Sequence, residues 1–313
     1  MNKTERYLTK GPVVLLAAVF CCMLWGSAFP MIKTGYSLMG IAADDTAAQL
    51  LYAGTRFSIA GIMVIAAGSL TEGHFLRPNR GNVGKVVRLS LLQTFAQYAF
   101  FYIGLAHASG VKASIIEGSN VFCAILVSGY VFRLERITPK QLLGCLLGFA
   151  GVVIVNLGSG SLAGGFALNG EGFVFISCLC YAFSSVFIKR YSQTESPVML
   201  SGWQFLFGGI GLAAVGLAMG ARPTAFTPAA LGVLLYLGFL SAAAYTLWGM
   251  LLKYNPVSRV SIYGFTNPVF GVILSALILG EGSAVRPGML LSLLLVCAGI
   301  FLCNFSFKPR RTE

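Results

Sequence analysis

The chain has 313 residues, of which 57% are hydrophobic and only 10% are Asp, Glu, Lys or Arg, and its mean hydropathy is +0.80. Soluble domains carry roughly a quarter charged residues, so a water-facing globule is excluded and lipid is the solvent this composition suits. The net charge of +12 gathers into no basic stripe or motif. Its residues sit in short loops between apolar runs, which sets nucleic acid aside as a partner and leaves the lipid bilayer.

In chain order, apolar stretches long enough to cross a hydrocarbon core of about 30 Å fall at 12–33, 49–70, 84–106, 112–132, 138–157, 171–191, 197–219, 229–253, 258–279 and 286–307. The first is preceded by Lys3, Arg6 and Lys10 but contains Trp25, Pro30 and Lys33. That content reads as a retained helix and not as a cleaved signal peptide. The expected fold is an all-α integral membrane protein of ten transmembrane helices.

Orientation follows from the basic residues. One set of span ends holds seventeen: Lys3, Arg6, Lys10, Arg77, Arg80, Lys85, Arg88, Arg133, Arg136, Lys140, Lys189, Arg190, Lys253, Arg259, Lys308, Arg310 and Arg311. The opposite ends hold four: Lys33, Lys112, Arg222 and Arg286. This asymmetry predicts a multi-pass protein of the cell membrane, plasma or inner, with both termini cytoplasmic.

The chain also repeats itself. Trp25–Lys33 resembles Tyr181–Lys189, and Gly54–Gly61 aligns with Gly202–Gly209. Tyr98 matches Tyr245, Ser114 matches Ser261, and Ser119-Asn120 matches Thr266-Asn267; Ala150-Gly151 answers Ala298-Gly299. Five spans in each half, 1–157 and 158–313, is an odd number, so the second half enters from the opposite side. Inverted five-helix repeats place a binding cavity near the midplane, between halves that rock against each other. A channel would need a filter-like sequence or a ring of charge, and an ATP-driven pump a phosphate-binding loop; the sequence holds neither.

Together with the two five-helix halves, Trp25-Gly26-Ser27, Arg56-Phe57, the Leu134–Pro139 turn, Thr266-Asn267-Pro268 and Leu279-Gly280-Glu281 resemble the EamA-type branch of the drug/metabolite transporter superfamily. The likeness runs from about residue 14 to 305 and lies in the order and spacing of short motifs. It implies a carrier whose helices 1–4 and 6–9 surround a central cavity, with helices 5 and 10 outside, working by alternating access. Members move amino acids, other metabolites or drugs, often as proton-coupled exporters. One departure is Val121, which stands where the second half has Pro268 and puts the gating kink of the first half in doubt.

Ionisable side chains at membrane depth are costly and are candidate functional groups. Two lie within the spans, Arg56 and Glu117. At 1.5 Å per residue they sit about 10 Å and about 7.5 Å from the outer ends of helices 2 and 4, at one level. Their repeat counterparts, Gln204 and Gly264, are uncharged. Either the two fix helix 2 against helix 4 as a structural pair, or Glu117 couples transport to protons and recognises substrate, with Arg56 tuning it. Trp25, Tyr98 and Tyr245 are the leading aromatic candidates for a substrate wall, ahead of Tyr102, Tyr181, Trp248 and Tyr263. Asn120 and Asn267 are the leading polar ones, beside Ser27 and Gln97; each group has bundle packing as its alternative.

The remaining polar features read more blandly. The eight cysteines fall in apolar runs and behave as small hydrophobes. His74 and His107 are expected in solvated loops, Glu135 and Glu281 hydrated at span ends, and no metal or cofactor is expected. Gly144 and Gly148 form a small-xxx-small motif, used either within the chain or as a homodimer face through helix 5 or helix 10. The expected function is secondary active transport, as an exporter, of a small-molecule solute that is amino-acid-like or amine-bearing. A multidrug exporter, a membrane scaffold or sensor, and an intramembrane enzyme are the alternatives. The last lacks a nucleophile–base or metal constellation.

Overall fold

A computed structural model of the chain describes residues 3–42, 44–108, 113, 116–157, 167–222, 227–279 and 287–304. Among them every regular element is a helix. They are α1 (Lys3–Leu8), α2 (Gly11–Met39), α3 (Thr46–Glu72), α4 (Val83–Leu89) and α5 (Gln97–His107), with a π-helical stretch Ser90–Ala96 joining the last two. Next come α6 (Asn120–Leu126), which runs on as a π-helical turn Val127–Val131, and α7 (Pro139–Leu157). The second half holds α8 (Phe173–Tyr191), led in by a π turn Leu168–Gly172, then α9 (Pro197–Ala218) and α10 (Pro228–Tyr254). Last are α11 (Val257–Ser261), a 3-10 turn Ile262–Phe265, α12 (Thr266–Leu279) and α13 (Pro287–Asn304).

Five helical segments are long and apolar enough to cross a membrane by length and composition: Gly11–Met39, Thr46–Glu72, Leu168–Tyr191, Pro197–Ala218 and Pro228–Tyr254. Ile116–Val131, Pro139–Ile154 and Leu290–Cys303 are shorter apolar helices. Large apolar side chains point outward, Leu70 at 84% exposure and Leu277 at 75%. That much exposed apolar surface suits a hydrocarbon surround and not water.

Local chemistry sets the helix ends. Asp45 Oδ1 accepts from Ala48 N at 2.8 Å and Thr227 Oγ1 from Ala230 N at 3.1 Å, capping α3 and α10. Helix α2 overruns the expected span: Pro30 lies inside it, and it ends only at Gly40, whose φ of 64° closes the last turn. Pro268 is the third residue of α12, where its missing N–H leaves no bond of that helix unmade. The first half breaks at the matching place without a proline, since Ser119 is a turn whose N–H reaches Ile116 O at 2.8 Å.

Packing is closest along α3 and α9. A Cβ on Gly54 would stand 2.6 Å from Gly209 O, and one on Gly61 would stand 2.7 Å from Gly202 O. Helices α7 and α13 meet in the same manner, with Gly144 against Gly299 O at 2.7 Å and Gly151 against Ser292 O at 2.8 Å. Gly148 faces the ring of Phe265. The small residues of the helix 5 motif are therefore used inside the chain.

One end of the bundle is stitched by polar contacts, and here Glu135 departs from expectation. Instead of being simply hydrated, its carboxylate accepts from Ser128 Oγ at 2.5 Å, from Ser258 N at 3.1 Å, and from the Ser258 hydroxyl. Lys189 Nζ donates to Asn255 O at 2.7 Å, and Asn255 Nδ2 to Leu8 O at 2.8 Å. Lys85 Nζ lies 2.6 Å from Glu195, and this ammonium, with the Asn82 amide, holds the Glu195 carboxyl below the usual carboxylate range. His107 is the last residue of α5 and not a loop residue; its Nδ1 lies 2.9 Å from Ile103 O.

The glycine seam predicts opposite effects for two similar substitutions. Gly61→Ala drives a methyl into the α9 backbone and should cost about 1–3 kcal/mol. Gly84→Ala, on an exposed helical turn with open space around it, should hold or slightly raise stability. Thermal unfolding of the detergent-purified variants checks this, and equal melting temperatures would remove the seam from the account.

Candidate substrate cavity

A cavity of about 140 Å³ opens between α2, α3, α5, the residues just before α6 and its first turn, α8, α10, the 3-10 turn and the start of α12. No described side chain of α7 or α13 belongs to its wall. Trp25, Arg56, Tyr98, Glu117, Asn120, Tyr245 and Asn267 all line it, so the structure brings every leading candidate of the sequence to one place. Tyr102, Tyr181 and Gln97 line it too, whereas Trp248, Tyr263 and Ser27 do not. Trp248 backs the wall, edge-on to Trp25 with ring centroids 5.0 Å apart. The Ser27 hydroxyl is taken up by Tyr236 OH at 2.7 Å and Leu24 O at 2.7 Å.

Two aromatic pairs meet at the wall, Tyr98 and Tyr245 in it and Phe57 and Phe205 behind them. Phe57 and Phe205 are stacked, centroids 5.5 Å apart and planes 13° from parallel. The hydroxyls of Tyr98 and Tyr245 share a 2.6 Å hydrogen bond. Each ring of one pair also touches a ring of the other, Phe57 with Tyr98 at 4.4 Å and Phe205 with Tyr245 at 5.1 Å. Trp25 adds an edge-on contact to Tyr245 at 5.0 Å. The rings therefore hold one another rigidly around the space.

The two charged residues stand apart. No ion pair joins Arg56 to Glu117, so the structural-pair alternative is corrected: equal depth does not bring their side chains together. Arg56 is only 4% exposed and its Nε has no hydrogen-bond partner. Its guanidinium lies 4.4 Å from the Phe57 ring centroid and 5.8 Å from that of Tyr98. Trp25 Nε1, Gln97 Oε1, Asn120 Oδ1 and Asn267 Oδ1 are likewise buried with no protein partner. Buried polar atoms are normally satisfied; these five lie around one cavity, while others, both side-chain atoms of Gln204 among them, lie away from it.

Sequence reasoning overlooked Ser177 and Ser241, which also line the space. A serine in an apolar helix usually bonds back to its own turn, as Ser177 does to Val174 O at 2.7 Å, and only the helix azimuth tells the two uses apart.

The profile of the EamA-like transporter family matches residues 12–157 and 168–305. A probable amino-acid metabolite efflux pump of Salmonella typhimurium is 27% identical, over 94% of this chain and 96% of its own length. An uncharacterized transporter of Synechocystis is also 27% identical, over 90% of this chain and 86% of its own. A protein solved by crystallography shares the fold with a TM-score of 0.76 at 19% identity, covering 93% of this chain and 98% of that one. With the family profile spanning both halves, the chain belongs to the EamA-like transporter family and is a multi-pass membrane transporter, not an enzyme.

Proposed function

We propose that the chain is a ten-span secondary carrier that exports a small amino-acid-like or amine-bearing metabolite across the cell membrane by alternating access. The observation that carries this reading is the convergence of Trp25, Tyr98, Glu117, Asn120, Tyr245 and Asn267, from five helical segments of both halves, on one cavity. The Salmonella relative's name, an amino-acid metabolite efflux pump, supports the direction and the solute class. A cavity of about 140 Å³ is small beside the roughly 300–1,000 Å³ of drug-sized sites, which favours a metabolite over a bulky drug.

The inverted repeat of residues 1–157 and 158–313 draws support from reciprocal contacts. Gly54 aligns with Gly202 and Gly61 with Gly209; Gly54 meets Gly209 while Gly61 meets Gly202. Such an exchange is the mark of a two-fold relation between the contacting surfaces. Counterparts touch each other only beside the axis, and Phe57–Phe205 and Tyr98–Tyr245 are such pairs. On this reading the cavity lies against the axis, and the polar stitch at Glu135 and Ser258 closes its cytoplasmic side and must part when the cavity faces inward.

Glu117 is the coupling group in this scheme. Arg56 and the hydroxyls of Tyr98, Tyr102, Tyr181 and Tyr245 line the same space, and Cys178 lies within its electrostatic reach. A carboxylate there is costly when charged and alone, so it holds either a proton or the amine of the solute. Exchange of one for the other ties export to proton entry.

Two experiments check these claims. A cysteine at Asp44, exposed between α2 and α3, should react with an impermeant maleimide on intact cells, read by peptide mass spectrometry. Reaction only after lysis would invert the topology and put the termini outside. Glu117→Gln, the shape of the protonated acid, should fold normally and lose flux driven by a pH gradient while keeping some solute exchange, at weakened solute binding, in proteoliposomes. Undiminished pH-driven flux would take coupling away from this residue.

A further inference from the structure

Among the described residues, no carboxylate pairs with the Arg56 guanidinium. It is nearly completely buried, unpaired with Glu117, bonded to no protein group at Nε, and held in place by the rings of Phe57 and Tyr98. A lone buried cation is destabilising, and removing either partner of a buried pair is costly because it leaves such a charge. Ring faces orient a guanidinium but do not neutralise it. Its repeat counterpart, Gln204, is neutral and does not line the cavity, so the two-fold scaffold does not require a charge at this position. An arginine kept bare at a cavity wall fits an anion supplied from outside, and its planar fork matches a carboxylate with two parallel hydrogen bonds.

We propose that Arg56 is the binding site for the carboxylate of the transported solute, so that the solute is a zwitterion with its ammonium toward Glu117. This rests on the carrier reading of the cavity and deepens it. A purely cationic amine would leave Arg56 bare and add a second positive charge beside it. A phosphate or other multiply charged anion would meet Glu117 across the same small space. Only a solute bearing one group of each sign satisfies both walls, with Gln97 Oε1 and the two asparagine oxygens as further acceptors for its ammonium. Trp25, Phe29 and Ile32 leave an apolar side for the rest of the molecule.

The test is titration of the wild-type protein in nanodiscs with the proteinogenic amino acids, followed by matched analogues of those that bind. For leucine these are isoamylamine, lacking the carboxylate, and isocaproate, lacking the ammonium; for phenylalanine, phenethylamine and hydrocinnamate. The amino acid should bind about 10- to 100-fold more tightly than its amine. Arg56→Gln should remove that advantage, weakening the amino acid while the amine, freed from a like charge, binds as tightly as before or more so. Arg56→Lys, which keeps the charge without the fork, should retain part of it, and the wild-type comparison decides the matter should Arg56→Gln fail to fold. Equal binding of amine and amino acid, or full amino-acid affinity in Arg56→Gln, overturns the carboxylate site while the carrier reading stands. Binding of neither amino acids nor amines overturns both.

Discussion

Everything in this bundle depends on backbones that touch without side chains between them. In hydrocarbon no hydrophobic force drives helices together, and association comes from close van der Waals packing and polar contacts. Gly54, Gly61, Gly202 and Gly209 supply that between α3 and α9, and Gly144, Gly151 and Gly299 between α7 and α13. The first seam brings Phe57 and Phe205 into stacking contact behind Tyr98 and Tyr245 of the cavity wall. The second lies away from it and leaves the remaining helices free to line the space.

With rigid seams as a frame, the cavity is free to hold groups that a packed core would reject. Arg56, Glu117, Gln97, Asn120 and Asn267 all face one space, and several of their polar atoms lack protein partners. Polar networks left incomplete are unfavourable in a purely structural bundle. They are understandable where the missing partners arrive with a solute and leave with it. On the proposed reading, fold and site divide the work: glycines supply stability, and the cavity residues forgo some of it for recognition.

Much of this was legible in the sequence because lipid imposes a simple rule on helix length and charge. Hydropathy located the apolar segments to within a few residues, and the rarity of charge at depth singled out Arg56 and Glu117. The aromatic candidates stood out by lying away from the span ends and the asparagines by being polar in apolar helices; the repeat paired Tyr98 with Tyr245 and Asn120 with Asn267. Properties that depend on rotation about a helix axis were not legible. Depth put Arg56 and Glu117 at one level but carried no azimuth, and the two prove unpaired. Helix α2 outruns its hydropathy window because Gly40, not the membrane boundary, ends it. Glu135 looked like a span-end charge, and its tie to Ser258 spans 123 residues of sequence. The break at Ser119 carries no proline to announce it.

The central claim is that one cavity serves both faces of the membrane, and side-specific labelling within it is the most direct test. Ala28 lines the cavity on α2 and is partly exposed, so Ala28→Cys offers a small reporter. An impermeant thiol reagent would be applied from either side, to right-side-out and to inside-out vesicles, with modification read at residue 28 by peptide mass spectrometry. Alternating access predicts modification from both sides, slowed from both by a bound solute. Modification from one side only, with or without solute, would contradict a carrier and leave the cavity a one-sided pocket.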